Sequence, residues 1–407
     1  MGVLKVGVGH ATSPDEAAAT AMLATPRAGL ALVFSSYGLD PHEVYRQVRA
    51  RVGKAAIIGG STAGEFSSVA NAPRTGSVAV MTLQSSYLSV GVGVGENLGG
   101  DPEGSAARAV QGAQHSLESN ATVMSLMAIA LDTKKASEAA RLKPFVNIML
   151  PDGCTGQEEP FMRAMIRDIG TVAQIVGGST ANDFSNGTSY QYGNGVFQNA
   201  GVLATMSSGL KIGTAMGHPY FPGSNGAVAT SSSGRIVYEL DRRPATLVVQ
   251  EMLGVEALDA DLFARNPFGI KSSDVFGEYT IKSVAAANDD GSLTFFAEIP
   301  EGAYLRHMET DREFAVNSFR QTLRRAITDA GHPRRVGAVV VFNCILRHLL
   351  KCRIDLDDLT LVREIAGDVP LIGFNTFGEQ GMTLGGAVGH YNQTATMLVF
   401  GDELITQ

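Results

Sequence analysis

Three stretches of the chain carry the same succession of apolar and polar positions. Each begins with an apolar run of strand length: Leu30–Ser36 (LALVFSS), Phe145–Pro151 (FVNIMLP) and 337–343 (GAVVVFN). Each continues with apolar residues at helical spacing: Val44, Val48 and Val52; Phe161, Met165 and Ile169; Leu359, Val362 and Ile365 with Ala366. That periodicity predicts a helix with one buried face. A glycine-, threonine- and acid-bearing motif follows, reading IIGGSTAGEFSS over 57–68, IVGGSTANDFSN over 175–186 and LIGFNTFGEQGM over 371–382. The first two copies agree at eight of twelve positions and lie 118 residues apart, so the resemblance is a repeat. A further apolar run closes each unit: 77–83, 200–206 and 394–400.

Strand, helix, strand implies a parallel pair joined by a crossover, and the closing run adds as a hairpin partner. The fold class expected is therefore α/β, with repeated strand–helix–strand units, mixed sheets, a duplicated N-terminal domain and a C-terminal α/β domain. Leu88, Val90, Val92 and Val94 alternate with Ser89, Gly91, Gly93 and Gly95, a period of two that reads as one more strand. Between the second and third copies, 277–302 reads as a hairpin around Asn288-Asp289-Asp290-Gly291, and 312–330 as a helix closed by Gly331 and Pro333. Ser231–Gly234 (SSSG) reads as a linker. The expected division is a lead-in over 1–27, a domain with two repeats over 28–234, and a domain with the third over 235–407.

With 44% hydrophobic and 18% charged residues the chain supports a buried core and excludes general disorder. A formal charge of −8 argues against a nucleic-acid or anionic-membrane partner. Its apolar runs fall short of the roughly 20 residues of a membrane span. An odd, sparse set of three cysteines fits a reducing compartment, and with no signal-peptide pattern at the N-terminus the expected location is cytoplasmic.

Enzyme motifs fail. Gly53-Lys54 is followed by Ala55, which breaks a phosphate-binding loop; GVGVGENLGG contains no G-x-G-x-x-G; Ala63 and Ala181 replace the last glycine of G-x-S-x-G. Ser61 is thus a weak nucleophile candidate, and a hydrolase ranks last among the readings. The shared loop positions, Thr62, Thr180 and Thr376 with Glu65, Asp183 and Glu379, suit either local backbone hydrogen bonds or ligand contacts. In the third copy Phe374 and Phe377 offer an apolar lining. Asn343, Cys344 and Arg347 follow the third core strand, the end at which open α/β sheets bind ligands; Arg347 suits a carboxylate, and Cys344 either a thiolate ligand or a small buried hydrophobe. His218 reads as an ordinary loop residue. His390, beside the third loop, is either a satisfied loop histidine or a metal ligand.

These segments together resemble the FIST family over roughly 28–400: the IIGGSTAGEF loop and SSSGRIVYELDRRPA resemble its N-terminal domain, and NPFGI, VVFNCILR, IGFNTFGEQ and NQTATMLVF its C-terminal domain. The resemblance implies a sensory, small-ligand-binding module that is not an enzyme and acts on a histidine kinase or a cyclic-di-GMP signalling protein, with a homo-oligomer compatible. Gly378-Glu379-Gln380 followed by His390-Tyr391-Asn392-Gln393-Thr394 is similar to the haem-binding, nitric-oxide-sensing branch. That similarity implies haem b held non-covalently, His390 as its iron ligand, and Asn343, Cys344, Arg347, Phe374, Thr376, Phe377, Glu379, Tyr391 and Asn392 around it. The alternative implied by the family is a non-haem sensor of a small metabolite such as an amino acid.

Overall fold

The computed structural model describes residues 2–134, 145–170, 174–184, 187–271, 277–382 and 388–407. Ser185 and Asn186, the tail of the second motif copy, lie outside the described residues.

Three units of one plan make up the body of the chain. The first runs β1 (Lys5–Ala11), α1 (Pro14–Met22), β2 (Leu30–Ser36), α2 (Pro41–Val52), β3 (Ala56–Thr62), β4 (Glu65–Ser67), β5 (Ala70–Arg74), β6 (Val78–Gln84). The second runs β7 (Leu88–Glu96), α3 (Pro102–Ser116), α4 (Ala121–Thr133), β8 (Phe145–Pro151), α5 (Glu158–Ile169), β9 (Gln174–Gly178), β10 (Gln191–Gly193), β11 (Val196–Phe197), β12 (Ala200–Ser208). The third opens with β13 (Leu210–Gly217). It is interrupted by β14 (Phe221–Ser233), β15 (Ile236–Leu240), β16 (Arg243–Pro244), α6 (Ala245–Leu253), α7 (Ala260–Arg265), β17 (Phe268–Lys271), β18 (Tyr279–Lys282), β19 (Val284–Ala287), β20 (Leu293–Phe295) and β21 (Tyr304–Glu309). It resumes with α8 (Arg312–Asp329), β22 (Val336–Cys344), α9 (Ile345–Ile354), α10 (Asp358–Ala366), β23 (Leu371–Thr376), β24 (Glu379–Met382), β25 (Val388–Tyr391) and β26 (Ala395–Leu404).

The parallel pairs expected from the strand–helix–strand pattern are β2–β3, β8–β9 and β22–β23, and the closing strands β6, β12 and β26 pair antiparallel to the first of each. The hairpin around Asn288–Gly291 forms between β19 and β20, and α8 spans the helix read from 312. Ser231–Gly234 is not a linker: the serines end β14, and Gly234, at φ +57°, turns the chain into β15. The polar composition there marks a tight strand reversal.

The sheets are completed by exchange. Strand order is β1-β6-β2-β3-β10-β11, β7-β12-β8-β9-β24-β25 and β13-β26-β22-β23-β4-β5. Each unit thus lends the hairpin after its motif to another unit's sheet, and the three loans close a cycle. Alternate residues of the three sheets, Leu30, Leu32 and Phe34, Val146, Ile148 and Leu150, and Val340, Phe342 and Phe374 among them, form one shared core. The opposite faces lie under helices.

Helix and sheet approach closely because the first strand of each unit carries glycine on its outer face. A Cβ on Gly9 would fall 1.9 Å from Ala17 O, on Gly93 1.9 Å from Ala109 O, and on Gly213 2.2 Å from Ala326 O. The GVGVG alternation is the sequence form of this contact. No helix among the described residues is long and apolar enough to cross a membrane.

Candidate functional site

The three motif loops meet around the cycle. Ala181 N donates to Ser61 O (2.9 Å), Phe377 N to Ser179 O (3.2 Å) and Ala63 N to Asn375 O (3.1 Å), so each loop is fixed by a neighbour at the same position. Below them Glu65 and Glu379 are fully buried. Glu65 accepts from Ser36 Oγ (2.8 Å), Thr62 Oγ1 (2.7 Å) and the Ser77 hydroxyl. Glu379 accepts from the Thr376 hydroxyl, from Thr394 N (3.1 Å) and from Thr394 Oγ1 (2.5 Å). Every donor is neutral. Burial therefore wins over the hydrogen bonds and pushes Glu65 up to about 7 and Glu379 up to about 8.

The third member of the set is Gln191, not Asp183. Gln191 pairs with Gly60 as Glu379 pairs with Gly178, and its Nε2 donates to Thr180 Oγ1 at 2.8 Å. Residues 181–190 separate Thr180 from its partner, where Thr62 and Thr376 reach an acid three residues on. The equivalence of Asp183 by spacing does not survive that insertion.

At the carboxyl ends of β8, β22 and β23 a cavity of about 200 Å³ opens. Gly153, Glu158 and Phe184 line it from the second unit, Cys344, Ile345, Leu346, Phe377 and Asn392 from the third, and Arg235 and Phe296 from the inserted sheet. The Phe184 and Phe377 rings meet at 4.9 Å, and Phe184 adopts φ +64°, held by its N–H on Asn182 Oδ1 at 2.7 Å. A left-handed backbone at a bulky residue is costly and concentrates at ligand sites. Glu158 and Glu159 occupy the first turn of α5, where the helix end favours negative charge, and Arg235 Nη2 donates to both, at 2.6 and 2.5 Å. Burial works to raise Glu159, but His390, protonated in the acid range, together with the charge and hydrogen bond of Arg235, holds it at about 2. Lys282, beneath them, is lowered by burial and reaches His390 O at 3.4 Å.

The residues expected at the site divide. Cys344, Phe377 and Asn392 line the cavity. Burial pushes the Cys344 thiol well up, as befits a small buried hydrophobe, and Asn392 Oδ1 accepts from Ser283 N. Phe374, two residues before the end of β23, packs on Phe34 and Phe342 in the shared core. Asn343 Nδ2 donates to Asn375 Oδ1. Arg347 does not face a ligand: buried, it forks onto Asp358 at 2.7 and 3.0 Å and onto Asn343 Oδ1 at 2.5 Å. Against the burial that would raise it, Arg347 and Lys351 hold Asp358 at about 2. Thr376 and Glu379 satisfy one another, and Tyr391 is buried in β25. His218 Nε2 donates to Tyr279 O (3.0 Å), and burial lowers the ring to about 4.

His390 is buried in β25, and burial lowers its pKa. The Gln380 side-chain amide lies 3.0 Å from its Nδ1, and its Nε2 is buried and unpartnered. The Cε1–Nε2 edge also packs on Gly378, where a Cβ would fall 2.3 Å from Cε1. With a neighbouring cavity of about 200 Å³, too small for a porphyrin, these residues do not fit a haem. Among the described residues no group of three or more His, Cys, Asp or Glu is placed to hold a metal ion.

Glu158 and Arg235 carry the polar wall, and sequence reasoning missed both. Their signal is slight: an acidic pair opening a helix, and an arginine after a serine-rich turn.

The chain is 27% identical over 223 residues to an uncharacterised protein of Methanocaldococcus jannaschii, covering 51% of this chain and 42% of that one. It is 24% identical over 269 residues to uncharacterised proteins of Mycobacterium bovis and Mycobacterium tuberculosis, covering 64% of this chain and 68% of each. Thus it spans about two-fifths of the archaeal relative's length. A crystal structure of cyanuric acid hydrolase from A. caulinodans aligns over 98% of this chain and 99% of that one, with 9% identity and a TM-score of 0.34. The FIST N domain model matches residues 29–243 and the FIST C domain model residues 245–382. On those two matches, over more than half its length, the chain belongs to the FIST family, whose domains are associated with sensory signalling.

Proposed function

We propose that the protein is a sensor of a small, largely apolar metabolite of amino-acid size, bound without haem in the cavity at the third motif loop. The observation that carries this reading is that three phenylalanines and the partly buried Arg235–Glu158 ion pair line one cavity at the carboxyl ends of β8, β22 and β23. A mostly apolar pocket with a few fixed polar groups is the usual form of a small-ligand site, and sheet ends are its usual place. Phe377 ties the pocket to the loop cycle, its N–H bonding Ser179 O, so an occupant that favours one position of this loop biases the contacts between units. Output then passes by contact to a signalling partner, a histidine kinase or a cyclic-di-GMP enzyme. The cysteines Cys154, Cys344 and Cys352 are all free, which suits an intracellular setting.

The test is a thermal-shift screen of amino acids and related metabolites on haem-free protein. A ligand at a hundred times its Kd adds about 2.7 kcal/mol to stability. Stabilisation lost in Phe377→Ala supports the reading; stabilisation by haem alone, with a Soret band that His390→Ala alters, removes it.

A further inference from the structure

Resting on the pocket reading above, we infer that the ligand bears an ammonium group, primary or methylated, which sits on the Glu158 carboxylate between the phenylalanine faces.

The argument is one of which polar groups are left to a ligand. Arg235 is the cation in the wall, and its Nη2 is shared between two carboxylates, Glu158 and Glu159. Because Nη2 belongs to both forks of the guanidinium and spends its hydrogens on these carboxylates, neither fork is free for a ligand carboxylate, the geometry that makes arginine selective for such groups. Arg347, the other arginine near this strand end, is committed to Asp358. Asn392 Oδ1 already accepts from Ser283 N. Glu158, at 1% exposure, meets Arg235 through Oε2 alone, which leaves its second oxygen as an acceptor in a lining that also holds three phenylalanines.

Phe184, Phe296 and Phe377 line the same cavity as this carboxylate. Two of them stand open to the outside, Phe184 at 62% and Phe296 at 37% exposure, although large aromatic side chains usually bury. Ring faces attract cations through their quadrupoles, and several rings around one point form the cage that selects alkylated ammonium groups. A carboxylate at the base adds a charge-assisted hydrogen bond for a primary amine or a bare counter-charge for a quaternary one. The cavity volume of about 200 Å³ suits a small amine with a short apolar body.

The experiment is calorimetric titration of the full chain at neutral pH with four probes of one shape: 2-phenylethylamine, 3-phenylpropionate, 2-phenylethanol and phenylalanine, with choline as a fifth. The amine or choline is expected to bind at least tenfold tighter than the carboxylate and the alcohol. Glu158→Gln is expected to weaken the amine at least tenfold and the alcohol less than threefold. Because Glu158 is buried against Arg235, Phe377→Leu serves as a second variant: it keeps apolar volume while removing a ring face, and is expected to weaken choline more than the alcohol. Equal or tighter binding of the carboxylate, or amine affinity unchanged in both variants, overturns the inference while leaving the pocket reading intact. Binding of none of the five overturns the inference; the metabolite screen on wild-type and Phe377→Ala protein then decides the pocket reading separately.

Discussion

Replacing Glu379 by glutamine probes the buried acid at the centre of the loop cycle. The second unit shows that the site accepts an amide, since Gln191 holds the equivalent place and donates to Thr180 Oγ1. In Glu379→Gln the amide nitrogen takes the Thr376 hydroxyl and the amide oxygen the two Thr394 donors. The fold is therefore expected to survive. Its pH response is not. Burial raises the Glu379 carboxyl to about 8, against 4.5 for an ordinary glutamate. Between those values the folded chain keeps a proton that the unfolded chain has released. Stability from this group is complete below the unfolded value and falls as pH rises to the folded one, by about 1.4 kcal/mol per pH unit. Glutamine has no proton to lose, so the variant gains on the wild type by about 3 kcal/mol from roughly pH 5.5 to roughly pH 7.5. Contributions from Glu65 and from His218, whose lowered pKa acts in the opposite sense, are common to both proteins and cancel in the difference. Urea unfolding of both proteins at several pH values measures it. A stability difference that stays constant across that window would refute a buried neutral acid at this position.

Three further outcomes follow from the packing. Gly93→Ala forces its Cβ onto Ala109 O and is expected to destabilise at the upper end of about 1–3 kcal/mol by urea unfolding, whereas Gly76→Ala, with open space around it, costs only its left-handed backbone. Arg347→Met strips Asp358 of its fork and is expected to cost about 3 kcal/mol, toward the low end for a broken buried pair because Lys351 remains at 2.6 Å; a loss below 1 kcal/mol contradicts the pairing. Protein supplied with haem during expression is expected to show no stoichiometric Soret band in its visible spectrum, because the His390 edge is closed by Gly378.

Much of the fold was legible because each unit states it locally. The alternation of Leu30, Leu32 and Phe34 with Ala31 and Val33 separates the shared core from the helix-covered face, and Val44, Val48 and Val52 mark the helix that covers it. The exchanged hairpins were not legible, because β4, β10 and β24 are short and their partners lie far along the chain. The candidate site was half legible. Phe377 lies in the motif, Cys344 at the end of the strand before it, and Asn392 in the His390–Thr394 segment that carries the family resemblance. Phe374 was named with them, although strand alternation turns it into the core two residues from Thr376. Arg347 looked free because its partner Asp358 sits eleven residues on, beyond a helix end. Glu158 and Arg235 meet only across the interface between the second unit and the insertion, a contact that no local pattern encodes.

The most direct measurement fills the cavity. Leu346→Trp adds bulk at the pocket wall without replacing any residue of the loop cycle or any buried acid. In a thermal-shift screen of small metabolites, wild-type protein is expected to be stabilised by compounds of amino-acid size or below, and Leu346→Trp to lose those shifts while melting normally without ligand. Ligand shifts of equal size in the filled variant would contradict the account.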